Sequence, residues 1–141
     1  MRLNTLAIGY ETARRRPLLV SGEFVIGGTP LPKMIERCAG RKFDQVSPIG
    51  WMPRDFLNSW AKRLRGIEPP SLPSGRNELL ICPECGNLGC GFISCEVSRK
   101  GDLIIWSELG YESFGDSDNF TRFEMGNFRF SLENLDRIFA L

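Results

Sequence analysis

Apolar and polar residues alternate with a period of two in several short stretches of this chain, and recur at a helical period in three others. Leu6 and Ile8 share one face of a predicted first strand, Leu3 to Tyr10. After the polar break Arg14-Arg15-Arg16-Pro17, a second strand from Leu18 to Ile26 carries Leu18, Val20, Phe24 and Val25, with Ser21-Gly22 as a bend or bulge. Gly27-Gly28-Thr29-Pro30 reads as a turn. Pro32 suits the start of a short helix to about Cys38, with Met34, Ile35 and Cys38 on one face and Gly40 as its stop. Asp44 to Met52 is a loop, and Pro53 opens a second helix to about Arg65. Its stripe is Phe56, Leu57, Trp60 and Leu64, and Gly66 ends it.

Pro69, Pro70, Pro73 and Gly75 make Ile67 to Asn77 an extended crossover inside one domain, 1–141, because the residues before it would form only a marginal core. Beyond it the signal is β. Glu78 to Cys82 is a short strand. Gly91 to Ser98 alternates Ile93, Cys95 and Val97 against Ser94, Glu96 and Ser98. Arg99-Lys100-Gly101-Asp102 turns into a return strand, Leu103 to Leu109. Gly110 to Asn119 reads as an acidic loop and Phe123 to Phe130 as a last strand. Ser131 then caps a terminal helix striped by Leu132, Leu135, Ile138 and Phe139. This order predicts an α+β fold, an antiparallel sheet of about five or six strands with about two or three helices packed on one face. Trp51, Trp60 and Trp106 are expected to be substantially buried.

The 141 residues suffice for a core without disulfides. No apolar run approaches the roughly twenty residues that span a bilayer, and Met1 to Ile8 lacks the features of a secretory signal. The expectation is a cytoplasmic chain with reduced thiols and no membrane partner. The formal net charge of +1 conceals a gradient, from +7 over residues 1–66 to −5 over residues 102–141. Lys62, Arg63 and Arg65 crowd the end of the second helix, where positive charge complements the helix dipole. The chain has no histidine, which excludes imidazole general bases, His-dependent triads and every zinc site that needs an imidazole.

Four of the five cysteines fall between Cys82 and Cys95, in CPECGNLGCGFISC. The spacing C-x2-C-x4-C-x4-C copies that of a retroviral-type zinc knuckle, with Cys90 in place of its histidine. Cys82, Cys85, Cys90 and Cys95 are therefore candidate ligands of a structural zinc, since thiolates at C-x2-C spacing close a small knuckle. A second reading makes them inert interior or turn thiols. Cys95 lies in line with Ile93 and Val97, where a cysteine serves as a small hydrophobe. A third makes Cys82 and Cys85 a redox pair, although such a pair prefers to begin a helix and this one ends a strand. Cys38 reads as a core residue of the first helix. The glycines form no phosphate-binding loop. Glu108, Glu112, Asp116, Asp118 and Glu124 form an acidic cluster whose spacing fits no calcium loop, and which is either solvated or a partner-binding patch.

Leu72-Pro73-Ser74-Gly75-Arg76 followed by Leu79 to Gly91, LLICPECGNLGCG, resembles the signature of a family of small uncharacterised bacterial proteins with a CPECG(D/N)LGCG motif. Ile105 to Glu112, Phe128 to Ser131 and Ile49-Gly50-Trp51 are similar to further pieces of that signature, so the likeness covers about residues 46–141. Asn87 stands where the family carries Asp. The resemblance implies a soluble bacterial αβ protein. Cys95 is not part of the motif, so a family-wide metal site would use three of these thiols.

These features point to an interaction protein of the immunity type, which binds and neutralises a cognate toxin domain in a contact-dependent or other polymorphic toxin system. A basic nuclease is the expected toxin, met by the acidic cluster. One alternative is a zinc-stabilised nucleic-acid module using Arg14, Arg15, Arg16, Lys62, Arg63 and Arg65 on phosphates. Another is a thiol oxidoreductase.

Overall fold

A computed structural model describes residues 2–13, 16–86, 88–113 and 116–140, the side chains of 113 and 116–119 excepted. The chain is α+β, with two antiparallel sheets and three helices. Strands β1 (Leu6–Ala13), β2 (Arg16–Ile26) and β3 (Thr29–Pro30) form a sheet in that order. Helices α1 (Leu31–Ala39) and α2 (Arg54–Leu64) follow. A second sheet orders β4 (Asn77–Leu80), β5 (Phe92–Lys100), β6 (Leu103–Ser113) and β7 (Asp116–Arg122), with β8 (Phe128–Ser131) paired to β6; α3 (Leu132–Ile138) closes the chain. The strands are thus divided between sheets of three and five rather than gathered in one.

One apolar cluster joins both sheets and all three helices. It includes Leu6, Phe24, Ile35, Trp60, Leu64, Leu79, Ile93, Trp106, Phe130 and Leu135. Phe24 stacks on Trp60 and meets Trp106 edge-on, with ring centroids 5.9 and 5.3 Å apart. Both indoles are fully buried, and each N–H finds a carbonyl: Trp60 donates to Glu78 at 2.8 Å and Trp106 to Leu64 at 2.9 Å. Those two bonds fasten α2 onto the second sheet. Trp51 is only half-buried, because it lies over the cysteine loop instead of in this core.

The terminal helix starts as its sequence dictates, with the Ser131 hydroxyl accepting from the Asn134 N–H at 3.1 Å. Asn134 also acts as a surrogate peptide group. Its Oδ1 accepts from the Leu6 N–H at 2.8 Å and its Nδ2 donates to the Leu6 carbonyl at 3.1 Å, which locks β1 to α3.

Three sequence expectations shift. β1 begins later and runs to Ala13, and its irregularity falls at Thr12 and Ala13, since Ser21 and Gly22 pair in regular register. The expected loop after Gly110 is largely a hairpin, with β6 reaching Ser113 and β7 starting at Asp116; residues 114 and 115 lie outside the described part. The sequence DSDNFTR has low strand propensity, but the end of β6 supplies an edge to pair with, and tertiary context decides. The last strand is correspondingly short.

Candidate metal centre

The cysteine loop is held at both ends by backbone. The Ile81 N–H donates to the Val46 carbonyl at 2.7 Å and the Val46 N–H donates back at 2.9 Å. The chain then turns tightly, and the Gly86 N–H donates to the Cys82 carbonyl at 2.9 Å. Gly86 has φ near 65°, left-handed backbone that favours glycine. A single 3-10 turn, Leu88–Cys90, brings the third thiol back before β5 begins. Gly91 has φ near 92°, and a Cβ there would collide with the Tyr111 hydroxyl. Only glycine lets Tyr111 lie against the loop. Gln45 Nε2 secures the same point by donating to the Gly91 carbonyl at 3.2 Å. Beneath the loop, Leu72, Ile81 and Phe92 form a small apolar cluster with Trp51, Met52 and Leu88.

This scaffold brings together the Sγ atoms of Cys82, Cys85 and Cys90, all within 4.8 Å of one another. Around a tetrahedral zinc, with Zn–S of about 2.3 Å, sulfurs lie about 3.8 Å apart. The three thiols are therefore close enough to hold a metal ion. Cys85 and Cys90, at 2.9 Å, are closer than such ligands but farther than the roughly 2.05 Å of a disulfide. Cys82 is half-buried, and the other two are exposed. The Cys90 thiol is pushed up to about 12, first by its hydrogen bond to Cys85, then by desolvation and by Cys82. Neighbouring sulfurs oppose one another's ionisation, and a divalent cation among them inverts that balance.

Cys95, the fourth expected ligand, is not in this group. It is fully buried on β5 among the residues of the main core, and burial raises its thiol pKa. The alternation that aligned it with Ile93 places it there. Cys38 is half-buried against the same core.

The acidic cluster also divides. Glu112 is buried instead of presented to a partner. Its Oε1 accepts from Ser94 Oγ at 3.0 Å and stands 3.8 Å from Arg76 Nε. The lengthened β6 is the reason, since a residue expected in a loop becomes part of the sheet. Glu108 and Glu124 stay at the surface, their side chains 42 and 89% exposed, and both pair with Arg122, at 2.7 and 3.5 Å. The side chains of Asp116 and Asp118 lie outside the described residues.

The basic cluster on α2 is engaged within the fold. Arg63 pairs with Glu78 at 2.7 Å with both side chains buried, Arg65 pairs with Asp136 at 2.8 Å, and Lys62 lies 3.9 Å from Glu68. Arg16 Nη1 donates to the Pro83 carbonyl at 3.3 Å, beside the cysteine loop. Arg14 and Arg15 lie outside the described residues.

Sequence reasoning missed three buried polar groups. Arg76 donates to the Ser94 hydroxyl and carbonyl, at 2.9 and 3.0 Å, and to the Glu108 carbonyl, which the left-handed backbone of Glu108 (φ near 55°) turns toward it. Glu78 anchors Arg63. Glu23 accepts from Ser21 Oγ and, at 3.1 Å, from the Ser47 N–H, in a cavity of about 250 Å³ walled by Ile35, Val46 and Leu80. Burial raises its pKa against the opposing pull of these hydrogen bonds. Hydropathy patterns carry no signal for such pairs, because a lone charge in a strand reads as solvent-facing.

No family model, curated protein or solved structure matches this chain. Among the described residues, no helix is long and apolar enough to cross a membrane.

Proposed function

We propose that this chain is an immunity-type interaction protein that binds and neutralises a cognate bacterial toxin domain in the cytoplasm, and that Cys82, Cys85 and Cys90 hold a structural zinc that fixes its cysteine loop. The observation that carries the binding face is the division of the acids. Glu112 is spent inside the fold, while Glu108 and Glu124 remain at the surface next to the β6–β7 hairpin. A basic toxin domain suits that face, and charge complementarity would act mainly on its association rate. The buried carboxylates support a scaffold rather than a reaction centre, since Glu23, Glu78 and Glu112 each have internal partners.

The test is co-purification and neutralisation with the toxin products of neighbouring genes. Binding that weakens at high salt and in the double variant Glu108→Lys, Glu124→Lys supports the reading. Failure to bind or neutralise any of them overturns it. The zinc has its own assay. Metal analysis should approach one zinc per chain, and less than about one per four chains removes it.

A further inference from the structure

A zinc site built only to hold a fold closes all four positions with protein ligands, whereas three protein ligands leave one position for an exchangeable group. Here Cys95 is withdrawn into the core, and among the described residues no fourth Cys, Asp or Glu joins Cys82, Cys85 and Cys90. Two of the three thiols, Cys82 and Cys90, also line a cavity of about 350 Å³. A water occupies roughly 30 Å³, so the space admits a ligand of several heavy atoms.

The cavity walls carry both signs of charge. Arg41 and Lys42 stand on one stretch, with Asp44 and Glu84 also in the lining. Arg41 is exposed, but its guanidinium lies 3.9 Å over the Phe43 ring and 5.4 Å from the Tyr111 ring, which gives it a defined position at the cavity wall. A planar cation held on an aromatic face is arranged for a carboxylate. The metal position itself, set by three thiolates, favours a soft donor.

We infer that Cys82, Cys85 and Cys90 form an open three-thiolate metal centre whose fourth position takes the sulfur of a small thiol carrying a carboxylate, with that carboxylate on Arg41. The inference rests on the metal reading above and goes past it, from a metal that fixes the loop to one that also binds a ligand. No bond is made or broken in the ligand beyond loss of the thiol proton to solvent on coordination.

Cobalt(II) replaces zinc in such sites and reports its ligands by its visible spectrum. The intact chain is loaded with cobalt without oxygen, then titrated with mercaptoacetate, with 2-mercaptoethanol and with acetate. The expected result has three parts. The starting spectrum is that of three sulfurs and one oxygen. Mercaptoacetate converts it to a four-sulfur spectrum at least about tenfold more tightly than 2-mercaptoethanol does, a difference of about 1.4 kcal/mol. Arg41→Ala retains the cobalt and abolishes that preference.

A four-sulfur spectrum before any addition overturns the open site while leaving the structural metal intact. So does a spectrum that ignores both thiols. Cobalt that departs with the added thiol also overturns the open site, because the thiol then competes for the metal instead of joining it. Equal response to the two thiols, or a preference that survives in Arg41→Ala, overturns the carboxylate subsite. Absence of any cobalt–thiolate charge transfer is different, because it removes the metal centre itself.

Discussion

Cys90 and Cys95 are five residues apart and share almost nothing else. Cys90 is exposed in a glycine-framed loop, with two other sulfurs as its neighbours. Cys95 is sealed in the core beside Ile93, where it behaves as a small apolar side chain. The acids repeat the contrast. Glu78 and Glu112 are buried on protein partners, while Glu108 and Glu124 face solvent. The lesson is that the backbone, through strand register on one side and left-handed glycines on the other, decides which polar groups are consumed by the core and which stay at the surface. Changes in the core should cost stability and spare metal binding. Changes in the loop should remove metal binding and, with it, only the stability that the metal supplies.

The largest stability effect belongs to the interior. Glu78→Ala leaves Arg63 buried without its carboxylate, and among the described residues Arg63 Nε already has no hydrogen-bond partner. Removing one member of a buried pair costs about 3–5 kcal/mol. Denaturant unfolding of the variant should show a loss of that size, with zinc content per folded chain unchanged. A loss below 1 kcal/mol would mean that the pair is far better solvated than its geometry implies.

Metal depletion tests the loop. Zinc at a hundredfold excess over its dissociation constant should stabilise the chain by about 2.7 kcal/mol, and a chelator should withdraw that increment. Cys82→Ser, Cys85→Ser and Cys90→Ser should each abolish the zinc-dependent rise in Tm. If all three variants kept it, the thiol cluster would not be the metal site.

Cys95→Ser gives a smaller effect and the cleanest contrast. A hydroxyl in place of this thiol enters a fully buried apolar site at a cost of about 1–3 kcal/mol. Its zinc stoichiometry should match the parent chain. Loss of zinc in Cys95→Ser, measured on folded protein, would restore the four-thiolate site that the spacing alone suggested.

How far these differences were legible varies from place to place. The apolar stripes of α2 and α3, the Ser131 cap and the alternation of β5 are local signals, and each produced its element. The loop thiols were visible too, because CPECG followed by LGCG announces a tight turn between strands. What the spacing could not supply was orientation. C-x4-C is equally compatible with a fourth ligand and with a residue already inside a strand, and only the register of β5 separates them. Glu112 was lost for a related reason. A stretch of Asp, Ser, Asn and Gly reads as a loop on propensity, whereas Glu112 is drawn into the sheet by its pairing with Phe92 on β5, distant in sequence. Arg76 and Glu23 were invisible because their partners, Ser94 and Ser47, are uninformative residues distant in sequence.

The smallest effect concerns Glu23 and is a matter of pH. Its folded-state pKa is raised by burial, so folding favours the protonated carboxyl. A group of this kind contributes stability that is fully present below its unfolded pKa, about 4.3 for glutamate, and lost as pH rises through the folded value. Glu23→Gln keeps an acceptor for Ser21 and Ser47 but has no charge to desolvate. The difference in Tm between the parent chain and Glu23→Gln should therefore be most favourable to the parent in acid, and should move steadily toward the variant as pH rises from about 4 to 8. Glu11 adds to the effect by repelling the ionised form. A gap that stayed constant with pH would show the carboxyl to be as well solvated folded as unfolded. A gap moving the other way would show that its hydrogen bonds from Ser21 and Ser47 outweigh its burial.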